Sequence, residues 1–499
     1  MNISRRWFIG GAASLGAFQG CRFVESPFGR SGVARLKFGV ISDIHVQAES
    51  SDRGKVGNTF TLRRAFRWFD AQGADAVMIA GDLANSGLIS QLQCVADAWD
   101  AVFPGGRSRR DGRPVERLFI YGNHDWEGYR YGKQEIVGHQ ARDLVNDHIC
   151  RFGMKRTWEE VFGEAYAPVY SKVVNGYTFV GAHWDGSAGT TWAGNPGIEP
   201  FFAAHGKEID PSQPFFFFQH PHPKDTCYGS WAWGHDDGRS TRALSKYPNA
   251  VAFSGHSHYS LLDERSIWQG AFTSLGAGSL RYSGEPCEEF ADAGGFENAG
   301  GKAKNRPGSE ERLMTRADNN ERNGLLVSVY GDHVTLTRRD FMRDADLGPD
   351  WVMPLPAAES KPFAFAEHAK RFAAPEFAAE ARLAVARGVC KVEANEKKGT
   401  PARDFDVLNV TVPAARQTFA NRVWRYDLRI ERKRDGAAVL TRRVLSPDYH
   451  LPLGEAVKEM TVPVQVVDVP KDDEFRFVAI PYNCFGRAGK ALAGEWMKI

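Results

Sequence analysis

Leu36-Lys37-Phe38-Gly39-Val40-Ile41-Ser42-Asp43-Ile44-His45 opens as an apolar run and closes on a carboxylate and an imidazole two residues apart. The run is too short for a helix and too continuously apolar for a half-exposed strand, so it predicts a strand buried on both faces. The same pattern recurs downstream. Val77 to Ala80 leads into Gly81-Asp82, Leu118 to Tyr121 into Gly122-Asn123-His124-Asp125, Phe215 to Phe218 into His220, and Val251 to Phe253 into Gly255-His256-Ser257-His258. Tyr177 to Ala182 predicts another strand, which runs into His183-Trp184-Asp185. Between the runs, Leu62, Ala65, Phe66 and Phe69 repeat at helical spacing, as do Leu88, Leu92, Val95, Trp99 and Val102. Strand-helix alternation implies a layered α/β domain with substantial parallel pairing. Ligands gather beyond the carboxyl ends of strands in such sheets, so the five polar blocks are expected to converge in space.

Singly, an Asp-x-His or a Gly-Asp is an ordinary turn, and a lone histidine after a strand is usually structural. Jointly and in this order, the blocks resemble the calcineurin-like metallophosphoesterase superfamily. The resemblance implies a four-layer αββα sandwich with two mixed sheets facing each other and helices outside, over residues 33–345. It also implies a dinuclear centre of two divalent or mixed-valence transition-metal ions, iron, manganese or zinc. Asp43, His45 and His258 would bind one ion, Asn123, His220 and His256 the other, and Asp82 would bridge them. A shared carboxylate suits two cations that clamp the attacking and leaving oxygens of a phosphoryl group, with a metal-bound hydroxide attacking phosphorus. His124 is the candidate for protonating the leaving oxygen, with Asp125 to orient it. In His220-Pro221-His222-Pro223 either imidazole could be the ligand, and His220, directly after the strand, is preferred.

The flanking residues supply candidates for substrate contact. Trp126 and Arg130 follow the asparagine block, His183 ends a strand, and His222, Trp231, Trp233 and His235 follow the Phe215 to Phe218 run. The expected function is hydrolysis of phosphodiester or pyrophosphate bonds of small molecules. A phosphomonoesterase or protein phosphatase on the same metal core is the alternative. A surface binding or adhesion protein with a vestigial core is the alternative of another class, against which all seven ligand positions being filled argues.

The other features set the context. With 499 residues, 63 basic and 61 acidic side chains, and 42% hydrophobic residues, the chain is an ordinary globular protein of several domains. Its net charge of +2 disfavours nucleic acid as a partner. Met1 to Cys21, with Arg5-Arg6 before a short Gly/Ala-rich apolar run, resembles a twin-arginine export signal, so a periplasmic, secreted or surface-tethered protein is expected. Cys21 offers a possible lipid anchor, and no transmembrane segment is expected. Export would place the remaining cysteines where disulfides form, although their spacing fixes no pairing. Residues 285–323 are polar and glycine-rich and read as a long insertion, either a surface excursion or a flap over the site. The prolines at 349, 354, 356 and 362 suggest a linker over 346–378. From 379 to 499, alternation such as Trp424, Tyr426, Leu428 and Ile430 against Arg425, Asp427 and Arg429 predicts a β-sandwich whose arginines form a solvated face. Phe475 to Asn483 resembles the end of a fibronectin type III module.

Overall fold

The computed structural model describes residues 32–47, 57–126, 153–185, 194–286, 289–290, 295–298, 313–314, 321–394, 401–416, 418–451 and 457–499. The expected signal, with Cys21, lies outside them, as do Arg130, Cys150 and Cys287.

Among the described residues, thirteen strands precede residue 355: β1 (Leu36–Ile41), β2 (Ala76–Ala80), β3 (Glu116–Ile120), β4 (Val169–Val174), β5 (Tyr177–Ala182), β6 (Phe215–Phe218), β7 (Ala250–Ser254), β8 (Ile267–Gln269), β9 (Thr273–Gly276), β10 (Asn323–Val329), β11 (His333–Asp340), β12 (Ala345–Asp346) and β13 (Trp351–Pro354). They build two sheets. One runs β12-β11-β10-β1-β2-β3 with β13 beside β11, the other β4-β5-β6-β7-β9-β8. The β1, β2 and β3 pairings are parallel, as are those along β5, β6, β7 and β9, while β10, β11, β4 and β8 pair antiparallel. Both sheets are therefore mixed.

The sheets face each other across an aromatic core. The Phe38 ring of β1 meets Phe179, Phe216 and Phe253 of the opposite sheet at 5.0, 4.7 and 5.8 Å. On the outer side of the first sheet, α1 (Gly57–Ala71), α2 (Ile89–Val102) and α3 (Met154–Phe162) bury Leu62, Phe66, Leu92, Trp99 and Phe162 against Ile41, Val77, Ile79 and Phe119. On the second, α4 (Ile198–His205) and α5 (Arg239–Leu244) cover Val180, Phe215, Phe217 and Ala252. The central strands thus lie between a helix layer and the other sheet, which is why their sequences are continuously apolar rather than alternating.

The region expected as a linker is built into this domain. Trp351–Pro354 pairs with β11, and Trp351 and Met353 are buried in the core between the sheets. The short helix α6 (Phe365–Ala369) then turns His368 inward onto Glu264. The prolines flank packed elements instead of loosening a tether, because the apolar residues between them have a core to enter.

The C-terminal strands are β14 (Ala384–Val392), β15 (Arg403–Pro413), β16 (Arg425–Arg432), β17 (Ala438–Leu445), β18 (Glu459–Gln465), β19 (Phe475–Tyr482) and β20 (Leu492–Ala493). They form antiparallel sheets in the orders β14-β15-β18 and β17-β16-β19-β20. Tyr426, Leu428, Ile430, Val410, Val462 and Phe477 share the core between them. The arginine face of β16 and β17 departs from expectation, because part of it is covered. Arg425 is buried between Phe290 and Tyr482, with its guanidinium 4.6 and 3.9 Å from the two rings. Arg443 lies 4.8 Å from Phe290, and Arg442 pairs with Asp468. Phe290 belongs to the 285–323 insertion, whose described parts dock on these strands. Asn298 exchanges hydrogen bonds with the Leu445 backbone at 2.9 Å, Phe296 packs with Trp424 and Leu445, and Met314 joins the sandwich core. Among the described residues, no helix is long and apolar enough to cross a membrane.

Candidate metal centre

The polar blocks at the strand ends do converge. After β1, Asp43 and His45 adopt φ of 53° and 47°; after β2, Asp82 has 53°; after β7, His256 and His258 have 70° and 57°. Left-handed backbone at five non-glycine residues is costly, and such strain persists where the surroundings impose it, typically at sites of function. The loops have no room for larger neighbours. A Cβ on Gly81 would strike the His220 ring, one on Gly122 the Asp82 carboxylate and one on Gly255 the Asp43 carboxylate.

The result is two groups of donors that share one carboxylate. Asp43, His45, Asp82 and His258 form one group, and Asp82, His220 and His256 the other. His45 Nε2 lies 3.4 Å from Asp82 Oδ2, and His220 Nε2 lies 3.2 Å from the same oxygen. His258 Nε2 stands 3.0 Å from Asp43 Oδ1 and 3.1 Å from His45 Nε2, and His256 Nδ1 is 3.2 Å from His220 Nε2. Two imidazoles are held by their outer nitrogens. His220 donates Nδ1–H to the Ala80 carbonyl at 2.8 Å, and His258 donates Nδ1–H to the Tyr282 carbonyl at 3.1 Å. Both turn Nε2 toward the carboxylates, where a cation would take the place of a proton, the arrangement that orients metal-binding histidines.

The charges show what this centre favours. Burial alone would depress His220, but the carboxylates of Asp82 and Asp43 lift it to about 9. Burial brings His45 down to about 4 and lowers His256 as well. Both aspartates are held below the usual range by the histidines around them, against the opposing effect of burial. Two buried carboxylates, beside two imidazoles that burial keeps neutral, place positive charge at a premium between them. Asn123 supplies a further test of fit. Its Oδ1 is buried without a hydrogen-bond partner, an unmet acceptor that a cation would satisfy. The donor set of carboxylate, amide and imidazole suits two transition-metal cations.

The remaining expected residues divide into those beside the centre and those in the core. His124 donates its backbone N–H to Asp82 Oδ1 at 2.8 Å and Nδ1–H to the Asn85 carbonyl at 2.9 Å, with its ring 4.5 Å from that of His45. Asp125 is fully buried and accepts three backbone N–H groups, from Gly122 and Ala84 at 2.7 Å and Leu83 at 3.2 Å. Burial and Asp82 push its carboxyl up to about 8 while those donors pull it down. Its hydrogen bonds tie the β3 loop to the β2 loop, so the expected orientation of His124 by Asp125 gives way to a structural tie.

His183 and His222 are core residues and not substrate contacts. His183 Nδ1 accepts the Tyr121 N–H at 3.1 Å among Tyr121, Trp158 and Tyr166, and burial takes it down to about 3. His222 is fully buried, with its two nitrogens on Ser254 and Ser257 hydroxyls at 2.6 and 2.7 Å, so it is unavailable as a ligand. Trp231 faces Arg265 at 5.2 Å, and Trp126 packs on the helix-side core. Aromatics beside the donors include Trp233, stacked on His256 at 4.4 Å, Tyr282, 4.4 Å from His258, and the buried Trp184, 6.1 Å from His256. Trp233 is visible in sequence only as one aromatic among several after His220, and Tyr282 carries no motif. Cys94, Cys227, Cys390 and Cys484 are free thiols, and none belongs to either donor group.

Residues 36–260 match the profile of the calcineurin-like phosphoesterase family. No curated protein matches the chain. Among solved structures, a dimetal phosphatase from Danio rerio is similar at 11% identity and a TM-score of 0.36, covering 64% of this chain and 99% of that one. A purple acid phosphatase from yellow lupin seeds is similar at 13% identity and 0.37, covering 65% of this chain and 55% of that one. An archaeal phosphodiesterase is similar at 11% identity and 0.22, covering 64% and 99%. By the family match over residues 36–260, the chain carries a metallophosphoesterase α/β domain, followed by a region of antiparallel sheets, and the enzyme class of that domain is metal-dependent phosphoesterase.

Proposed function

We propose that the chain hydrolyses phosphodiester or pyrophosphate bonds of small molecules at a dinuclear centre of iron, manganese or zinc. The observation that carries this reading is the sharing of Asp82 by two donor groups. In it, Asp43, His45, Asp82 and His258 hold one cation, and Asp82, Asn123, His220 and His256 the other. When bound, such a pair supplies Lewis acidity toward the phosphoryl oxygens and lowers the pKa of water at the site. The chain's own groups do the rest. Ala80 and Tyr282 carbonyls fix the two outer imidazoles, and Asp125 holds the β2 and β3 loops together. His124, held through Nδ1–H on the Asn85 carbonyl and its backbone N–H on Asp82, is the group for exchanging a proton with the leaving oxygen.

Metal analysis of the purified protein with a panel of phosphate mono-, di- and pyrophosphate esters tests this. Asp82→Asn and His220→Ala are each expected to lower turnover by orders of magnitude with the fold retained. Full activity in both sinks the dinuclear reading. Less than one metal per chain together with no turnover on the panel favours a binding protein.

Two further readings belong to the same proposal. Residues 1–21 are read as a twin-arginine-type signal for an exported protein, checked by the mature N-terminus in fractionated cells. The three-plus-four order of the C-terminal strands supports reading them as a fibronectin type III-like sandwich.

A further inference from the structure

The loop between His220 and α5 turns back on itself and meets the metal centre on one side and Arg265, which faces Trp424 of the C-terminal region, on the other. Gly234, at φ 93°, lies against His256, where a Cβ would come 3.0 Å from the ring. One residue earlier, Trp233 is stacked on that imidazole at 21° yet keeps 39% of its surface exposed. It borders a recess of about 250 Å³ lined also by Lys224, Asp225, Ser230 and His235. That volume suits one ring with its substituents rather than a macromolecule. A partly exposed indole packed beside a phosphate centre is where a flat group carried by the phosphate would stack.

The other side of the loop is fixed by one buried cation. The Arg265 guanidinium lies 5.2 Å from the Trp231 ring of the loop and 4.3 Å from the Trp424 ring of the C-terminal region. Asp263 at 3.0 Å and Glu289 of the insertion at 3.3 Å balance its charge. Its carbonyl accepts the Tyr228 N–H at 2.8 Å, so the middle of the loop is attached to the same residue. Tyr259 packs between Tyr228 and Trp231 at ring distances of 4.9 and 5.9 Å. From Trp424 through Arg265 to Trp231, contacts join the C-terminal strands to the loop that carries Trp233.

Resting on the phosphoesterase reading, we infer that Trp233 is a specificity-determining residue that receives a flat aromatic ring of the phosphate ester. In the same inference Arg265 is a positioning residue, clamped by Trp231 and Trp424, through which the C-terminal strands hold that wall in place. The substrate class is thus narrowed to esters whose leaving group or second substituent carries an aromatic or nucleobase-like ring.

Calorimetric binding of phenylphosphonate and methylphosphonate to the full-length, metal-loaded protein tests this without depending on turnover. The wild type should prefer the phenyl compound about tenfold. Trp233→Ala should bring the preference near one; because the ring also packs on His256, metal content is measured alongside and the preference is read as the ratio of the two affinities. Trp424→Leu keeps an apolar side chain but removes the ring face, and should reduce the preference severalfold; Trp424→Phe should restore it. In the double variant, Trp424→Leu should add nothing to Trp233→Ala, since both act through one wall. A preference that survives Trp233→Ala overturns the specificity role, and a Trp424→Leu effect that is absent, or additive with Trp233→Ala, overturns the positioning role. Methylphosphonate binding with no ring preference in the wild type overturns this inference alone. Failure of both compounds to bind overturns the phosphate-ester reading and this one with it.

Discussion

Replacing Glu264 by Ala should destabilise the protein by about 3 to 5 kcal/mol at neutral pH, because it strands a buried cation. Glu264 receives Arg338 Nη1 at 2.6 Å and Trp351 Nε1 at 2.7 Å, with His368 Nε2 at 3.3 Å. Arg338 is fully buried, and two backbone carbonyls, of Leu261 and Pro349 at 3.0 Å, accept its other hydrogen bonds, so among the described residues no second carboxylate inherits its charge. Proton linkage gives a similar figure. Burial would raise the Glu264 carboxyl, but Arg338 first and His368 next bring it from 4.5 down to about 2. At roughly 1.4 kcal/mol per pKa unit, that is about 3 kcal/mol. A depressed folded pKa means the contribution is complete above pH 4.5 and is lost as pH falls through about 2, so by pH 3 less than about half should remain. Urea unfolding followed by tryptophan fluorescence at pH 7 and pH 3 checks both parts. Wild type and variant should differ widely at pH 7 and converge in acid, and Glu264→Gln should cost about 2 kcal/mol. A gap below about 1 kcal/mol, or one that does not narrow in acid, would refute the reasoning.

Two other expectations probe the centre and its support. Gly122→Ala places a methyl against the Asp82 carboxylate, with Cγ only 2.9 Å away. Asp82 must retreat by on the order of 1 Å, which should lower kcat/KM by about a hundredfold, read alongside metal content per chain; normal metal content and turnover would contradict the shared role of Asp82. His183 is held neutral by burial at about 3, so it opposes unfolding fully above pH 6.5 and loses that effect as pH falls toward 3. A variant His183→Gln should have a flatter urea midpoint between pH 6.5 and 4 than the wild type, and parallel curves would count against it.

How much of this was legible in the sequence depends on what each residue's signal was. The strands at Leu36, Tyr177 and Phe215 could be bounded because they lie between two layers and are apolar throughout. The donors could be found because each follows such a strand directly. His183 also ends a strand, yet it points into an aromatic core, and nothing local separates it from His220. His222 differs from His220 only in which ring meets serine hydroxyls instead of carboxylates, a matter of distant partners. β13 was hidden by its flanking prolines, and the arginines of β16 were misleading because what covers them is another part of the chain. Arg265 carries no motif at all; its meaning comes from two tryptophans 34 residues before it and 159 after it.

The docking of the 285–323 insertion has a consequence for the order of events during synthesis. Phe290, Phe296 and Asn298 leave the ribosome more than a hundred residues before Arg425, Trp424 and Leu445, the groups they pack against. The α/β domain can close its two sheets once β13 has emerged, but the insertion then waits with apolar side chains uncovered until β17 is made. Shortening the chain after residue 378 would make that wait permanent, exposing Phe290 and Phe296 and removing the ring that faces Arg265. A truncated catalytic domain should therefore be far more prone to aggregate than its closed α/β core suggests.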